Sequence, residues 1–154
     1  PGGVAAAGGA LVAVVGVRAR RVALYDAVAG RKLGEASGGV GPTHAVAAGG
    51  LVYVADTEGD AILVYRLRPQ FEFLDRANLP GAPYGLAIDR RRGRLWVTLT
   101  ERNELIRFEL TRHAPRRVAS YPAVRQPNSV AVDERSGRVF VAGRGGQELQ
   151  ILGR

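Results

Sequence analysis

The sequence contains no cysteine and no methionine, and it has no apolar run near the 18 residues that a membrane helix needs. Without cysteine, disulfide bonds and thiolate metal sites are excluded. The apolar run at residues 11–17 is too short to span a bilayer, and no basic segment precedes it as in a signal peptide. Long helical periodicity is also absent, so we expect no substantial helix. The core must therefore come from short apolar runs separated by glycine-containing turns.

Lysine is almost absent as well, since the net charge of +8 is carried by 21 arginines and the single Lys32. A charge of this size can indicate an anionic partner such as nucleic acid. The arginines, however, are scattered over predicted turns and outer strands, and they form neither a basic helix nor an aromatic–basic stacking motif. We therefore do not expect a nucleic-acid partner.

The sequence is built from an internal repeat. Four segments begin with proline, two variable residues, and then an apolar, a small and an apolar residue, at spacings of 41, 41 and 44 residues. Each start leads through a turn into a second apolar run and then, after a polar turn, into a third. A fourth and more polar run closes the first three repeats. The predicted repeats are residues 1–41, 42–82, 83–126 and 127–154, and together they form one segment.

The polarity within each repeat predicts the fold. The first two runs are apolar throughout, as expected for strands buried on both faces, whereas the third and fourth alternate. Four short strands joined by tight turns make one blade of a β-propeller. We therefore predict an all-β propeller with four four-stranded blades, of which the last lacks its outer strand. Tyr53, Trp96 and Phe140 share one repeat position, which predicts packing between blades rather than a ligand platform.

Three stretches resemble known propeller repeats. Residues 52–60 are similar to NHL repeats, residues 83–98 to virginiamycin B lyase-type repeats, and residues 127–141 to YVTN (YncE-like) repeats and sugar-lactonase propellers. The resemblance implies a closed ring of six or seven blades, of which this chain supplies four. It also implies an extracytoplasmic location, periplasmic or secreted. The first and last blades should then leave apolar faces uncovered, including Val12, Val14 and Val141.

Ligands of propellers usually meet the chain at the mouth of the central channel. The two positions after each repeat-starting proline lead into the innermost strand and should line that mouth. The turns between the second and third strands, such as residues 56–60 and 100–104, should instead diverge outward. The predicted ligand-binding residues are therefore Thr43, His44, Tyr84 and Asn128. The alternative stays open that these polar groups satisfy loop backbone or meet water, as they do in any propeller.

No complete catalytic set can be placed on the sequence. There is no glycine-rich phosphate loop with lysine, no Ser-His-Asp order and no pair of catalytic carboxylates. The segment 56–60 contains three acidic residues, but it is too short for an EF-hand loop and should shape a turn. The sequence predicts a non-catalytic module that binds a protein or small-molecule partner at the channel mouth, without an identifiable cofactor or metal site. The resemblance implies an alternative, a propeller enzyme of the lyase or sugar-lactonase type using a divalent metal, in which His44 would act as acid or base and Asn128 would hold the metal. His113 should lie on the surface.

Overall fold

The chain folds into β-strands alone over the part described by this computed structural model, residues 2–153. Short apolar runs form the strands, and residues that tolerate a positive φ end them, such as Gly93 (φ 60°) and Asn103 (φ 53°) in the turns around β10. The all-β prediction is therefore confirmed. The strands are β1 Val4–Ala6, β2 Leu11–Gly16, β3 Arg21–Asp26, β4 Arg31–Ser37, β5 Pro42–Ala48, β6 Leu51–Asp56, β7 Ala61–Arg66, β8 Glu72–Asn78, β9 Pro83–Asp89, β10 Arg94–Leu99, β11 Glu104–Glu109, β12 Arg116–Pro122, β13 Pro127–Asp133, β14 Arg138–Gly143 and β15 Leu149–Leu152.

The strands pair in chain order into four antiparallel sheets. Sheet 1 comprises β1–β4, sheet 2 β5–β8, sheet 3 β9–β12 and sheet 4 β13–β15. Consecutive strands pair because the turns between them are too short for any crossover. Within the described residues, sheet 4 has three strands, as the sequence predicted.

The chain divides into two compact units, Pro1–Leu79 with sheets 1 and 2, and Pro80–Arg154 with sheets 3 and 4. In the first unit, Ala13 and Leu24 of sheet 1 share an apolar core with Val52, Val54 and Tyr65 of sheet 2. Burying these side chains removes apolar area from water, which stabilises the stack of sheets. Each unit therefore has its own core between its two sheets.

The second unit shows the same packing around Trp96. This side chain is 5% exposed and forms a core with Leu105, Val139 and Val141, and its ring centroid lies 5.7 Å from that of Tyr121. The prediction that Trp96 packs between blades is confirmed. We call the side of sheet 3 that carries Trp96 its forward face, and the side of sheet 4 that carries Val139 and Val141 its rear face. In every other sheet, the forward face is the side that carries the residue equivalent to Trp96 in the repeat, and the rear face is the opposite side.

One of the apolar side chains predicted to be uncovered is buried. Val141 lies on the rear face of sheet 4, against the core that contains Trp96, and it is inaccessible to solvent. The prediction was wrong because strand neighbours point to opposite faces, and Val141 takes the covered side while Phe140 takes the other. Val12 and Val14 of sheet 1 are partly exposed, as predicted.

Two buried tyrosines make the fold sensitive to alkali. Burial raises the pKa of Tyr53 from its ordinary value of 10 to about 12, and it raises the pKa of Tyr65 further. The phenol of Tyr65 also donates a hydrogen bond to the carbonyl of Ser37, at 2.6 Å. Both phenols therefore keep their protons in the folded chain at a pH at which the unfolded chain has lost them.

We expect the free energy of unfolding to fall as the pH rises above about 10, because the unfolded state then binds fewer protons than the folded state. Urea denaturation between pH 8 and pH 11.5 measures this slope. In Tyr53→Phe the slope above pH 10 should be shallower than in the parent, while both proteins keep the same pH dependence near neutrality. An unchanged alkaline slope in Tyr53→Phe would show that the Tyr53 phenol does not titrate as argued.

Candidate functional site

The first strand of sheet 2 carries a bulge at its start. Pro42 pairs with Asp56 and Ala45 pairs with Val54, so Thr43 and His44 stand together opposite one residue of β6. An extra residue in one strand breaks the alternation of side chains and turns them to a new direction. Thr43 and His44 are consequently neighbours at the start of β5, and both are partly exposed.

The first strands of sheets 3 and 4 are bulged at the same repeat position. Pro83 pairs with Leu99 and Leu86 with Val97, so Tyr84 and Gly85 face one residue of β10. In sheet 4, Asn128 is the extra residue between two consecutive pairs. All four predicted site residues therefore lie in β-bulges at the start of a first strand.

Thr43 is held by a second hydroxyl that the sequence analysis missed. Its Oγ1 lies 2.7 Å from Oγ1 of Thr57 and 3.4 Å from the carbonyl oxygen of Ala55, to which it donates. Thr57 belongs to the β6–β7 turn, residues 56–60, which was expected to point away from the site. That expectation is wrong at the start of the turn, because the turn leaves the sheet at the same end at which β5 enters it. A hydroxyl residue directly after the second strand is the signal that would have identified Thr57.

His44 is half-buried, and this burial lowers the pKa of its imidazole below the ordinary value of 6.5. A lowered pKa leaves the ring neutral at pH 7, with one nitrogen able to donate a hydrogen bond and the other able to accept one. The second histidine, His113, lies in an exposed loop after β11, where its backbone N–H donates to Oγ1 of Thr111. Its position on the surface agrees with the prediction.

Tyr84 and Asn128 lie on two first strands whose backbones nearly touch. A Cβ on Gly85 would be 3.0 Å from the carbonyl oxygen of Asn128 and 3.0 Å from Oγ1 of Thr98. The N–H of Gly85 donates to that threonine oxygen at 2.8 Å, and Thr98 is fully buried. Glycine suits this position because a Cβ would be tightly packed between β9 and β13, and its neighbours would have to shift by a few tenths of an ångström. This close approach brings Tyr84 and Asn128 into one region of the second unit.

The first unit repeats this approach with Gly3. A Cβ on Gly3 would lie 2.8 Å from Cα of His44, so the chain before β1 passes directly against β5. Gly3 and Gly85 occupy the same repeat position as His44 and Ser129. The glycines therefore allow close packing of neighbouring strands, whereas the predicted polar residues are Thr43 and His44 in the first unit and Tyr84 and Asn128 in the second.

Buried acids near the bulges have structural partners. The Asp56 carboxylate is 1% exposed and accepts hydrogen bonds from the backbone N–H groups of Val40 and Gly41, the latter at 2.7 Å. Asp56 therefore holds the segment before β5 in place by hydrogen bonds. The sequence had suggested only that it shapes the following turn. Asp89, also 1% exposed, forms an ion pair with Arg92 at 3.1 Å. Across residues 2–153, no three His, Asp or Glu side chains are placed so that they could hold a metal ion together.

No protein-family model matches the sequence, and no curated protein matches it. Many solved structures do match the fold. The hydrazine synthase of Kuenenia stuttgartiensis matches at 16% identity and a TM-score of 0.88, over 99% of this chain and 46% of that one. A streptogramin B lyase structure matches at 13% and 0.72, over 100% of this chain and 54% of that one. A chain of the mitotic checkpoint complex matches at 13% and 0.84, over 97% of this chain and 47% of that one.

The matched structures are β-propellers, and this chain has the β-propeller fold, with its four sheets as blades. The predicted fold is confirmed, and a lyase-type propeller is among the similar structures, as the sequence resemblance indicated. The chain spans about half the length of the solved structures described above. The described part of the chain has no helix long and apolar enough to cross a bilayer.

Proposed function

We propose that this chain is a non-catalytic propeller module that binds a protein or small-molecule partner at the bulged starts of its first strands. One observation carries the proposal: the bulge recurs in sheets 2, 3 and 4, always at the two positions after the repeat-starting proline. Bulges are enriched at binding sites because they redirect side chains without unfolding the sheet. Behind the bulges, the first strands are mainly apolar and are paired with the second strands, as a supporting scaffold requires.

The chemistry of the four side chains suggests what the partner presents. Thr43, His44, Tyr84 and Asn128 offer a hydroxyl, an imidazole, a phenol and an amide, each able to donate and to accept hydrogen bonds. None is a carboxylate, an ammonium or a guanidinium group, so these side chains suit an uncharged polar group rather than a phosphate. Peptide amides and sugar or lactone oxygens have this character.

Two finer parts of the proposal depend on resemblance. The NHL-like and YVTN-like segments support a binding module of that kind, and the likeness of the fold to a chain from the mitotic checkpoint complex supports a protein as partner. An extracytoplasmic location is proposed from the resemblance to exported bacterial propellers.

The test begins by screening the chain against a defined library of neutral amides, polyols and lactones with ligand-observed NMR. Affinity for the best compound is then measured by calorimetry in His44→Ala and Asn128→Ala. We expect each loss of a hydrogen-bonding side chain to weaken binding about tenfold, since 1.4 kcal/mol corresponds to a factor of ten. Glu101→Ala, in the exposed β10–β11 turn, is the matched control and should bind as the parent does. The site is elsewhere if both site variants keep the parental affinity while Glu101→Ala loses it.

A second candidate function, a propeller enzyme of the lyase or lactonase type, is favoured by the likeness to the streptogramin B lyase structure and by the half-buried His44. A neutral imidazole could serve as a general base. Incubation of streptogramin B with the chain and Mg²⁺, followed by chromatography, distinguishes the two functions. Turnover that disappears in His44→Ala would favour the enzyme, and binding without turnover would favour the module.

A further inference from the structure

The first unit contains a cavity apart from the candidate site. Its volume is about 240 Å³, and it lies between sheet 1 and the β7–β8 loop, residues 67–71, of sheet 2. From sheet 1 it is lined by Leu11, Leu24 and Leu33. The β7–β8 loop leaves sheet 2 at the end opposite the bulged start of β5. The cavity is therefore a separate feature, and a ligand bound in it would not occupy the bulge.

The walls of the cavity are fixed by packing on both sides. Phe71 stacks on the ring of Tyr65, which is fully buried, with the ring centroids 5.5 Å apart. A Cβ on Gly34 would lie 2.9 Å from Cβ of Phe71, so β4 and the loop approach each other closely. The N–H of Leu67 donates to the carbonyl of Gly50 at 3.0 Å, which holds the start of the loop. A ligand would therefore meet a cavity that is already formed, which reduces the ordering that binding requires.

One apolar wall of the cavity is open to solvent. Leu33 is 39% exposed, and it is the extra residue of a bulge in β4, since Tyr25 pairs with Lys32 and Leu24 pairs with Gly34. A bulge redirects the side chain of its extra residue, and here Leu33 lines the cavity together with Leu24. A hydrocarbon group bound in the cavity would remove this apolar surface from water.

The lining also carries one positive charge. Among the described residues, Arg68 is the one charged side chain that lines the cavity, and its guanidinium group has no hydrogen bond or ion pair with them. The acids on the adjoining strands have other partners. Glu72 accepts hydrogen bonds from Arg66 and from Nε2 of Gln70, and Asp26 accepts two backbone N–H groups of the β3–β4 turn. Apolar walls beside a guanidinium group suit a ligand with a hydrocarbon part and one anionic end.

We propose that this cavity binds a medium-chain fatty acid, with the hydrocarbon chain among the leucines of sheet 1 and the carboxylate on Arg68. A guanidinium group can bind a carboxylate through two parallel hydrogen bonds. The volume lies below the range of about 300–1,000 Å³ typical of sites for drug-sized ligands, so the ligand is small. A peptide fits less well, because its backbone amides need hydrogen-bond partners, and the other polar side chain of the lining, Gln70, already donates to a carboxylate.

Titration of the 154-residue chain with octanoate, followed by two-dimensional amide NMR, tests the site. The largest shifts should fall at Leu33, Gly34 and residues 67–71. Hexanoate should bind about tenfold more weakly than octanoate, because it buries two fewer methylene groups. Octylamine has a similar chain but a positive end, and it should also bind at least about tenfold more weakly. The proposal is overturned if octanoate does not saturate the chain, if octylamine binds as tightly, or if the shifts centre on other residues.

Calorimetry on four variants locates the two parts of the ligand. Arg68→Gln and Leu33→Glu should each weaken octanoate binding about tenfold, by removing the partner of the carboxylate and by placing an acid at the apolar wall. The matched controls are Arg112→Gln, in the exposed β11–β12 loop, and Leu149→Glu, where the leucine is 64% exposed on β15. Both should bind as the parent does. All four side chains are exposed, so circular dichroism should show an unchanged fold.

Two results of these measurements would refute the proposal. If Leu149→Glu weakens binding as much as Leu33→Glu, octanoate adheres to exposed apolar surface in general and not to this cavity. If a leucine-ending tripeptide with a free carboxylate displaces octanoate and binds more tightly, the cavity is a site for a chain terminus and not for a fatty acid.

Discussion

Replacing Trp96 by alanine should lower the free energy of unfolding by about 3–5 kcal/mol, which is the usual range for removing a large aromatic side chain from a core. The side chain fills the space between sheets 3 and 4 and contacts residues of both. Alanine would leave a cavity lined by Leu105, Val139 and Val141. The surrounding side chains would fill this cavity only in part, because a closely packed core relaxes little. The indole Nε1 has no hydrogen-bond partner within residues 2–153, so the loss comes from packing alone.

Urea denaturation of Trp96→Ala, compared with the parent, measures this loss. Phe73→Ala is a suitable control, because Phe73 is also aromatic but is half exposed on β8, and its removal should cost much less. The tryptophan emission of the folded parent should be blue-shifted, as for an indole in an apolar environment. If Trp96→Ala and Phe73→Ala destabilise the chain equally, or if the parent emits as an exposed indole, Trp96 is not the core residue described above.

Asp56→Ala should be the second large effect. The carboxylate accepts the N–H of Val40 at 3.0 and 3.1 Å and the N–H of Gly41 at 2.7 Å, in a buried position. A Cβ on Gly39 or Gly59 would lie within about 2 Å of one carboxylate oxygen, which shows how tightly the backbone encloses it. Alanine leaves two donors without this acceptor, at a cost of about 1–3 kcal/mol for each.

Chemical denaturation gives the total loss, and hydrogen exchange at Val40 and Gly41 locates it. Asp26→Ala is the matched control, since Asp26 also accepts two backbone N–H groups, from Val28 and Ala29, but in an exposed turn. Water can replace that acceptor, so Asp26→Ala should cost less than Asp56→Ala. Faster exchange throughout sheet 2, rather than first at residues 40 and 41, would argue against a local anchoring role for Asp56.

The positions of the candidate site residues could be predicted from the sequence, but the β-bulges in which they lie could not. The positions after each proline could be singled out because their chemistry varies on a constant repeat. That Thr43 and His44 share one partner residue on β6 could not be derived, since a bulge depends on the pairing of two strands rather than on either strand alone. The contact between Thr43 and Thr57 was missed for the same reason. It joins the start of β5 to the residue after β6, and only the antiparallel pairing of these strands brings the two together.

The sequence by itself determined the strands, their order and the repeat that relates Trp96 to Phe140. These follow from local patterns, namely short apolar runs, alternation and turn residues, which act over a few neighbours. Only the tertiary structure decided which side of each strand is covered, so that Val141 is buried while Leu149 is exposed, and that Asp56 fastens residues 40 and 41. Such outcomes depend on the packing of one sheet on another, which is set by shape and burial across the whole fold and not by any short stretch of residues.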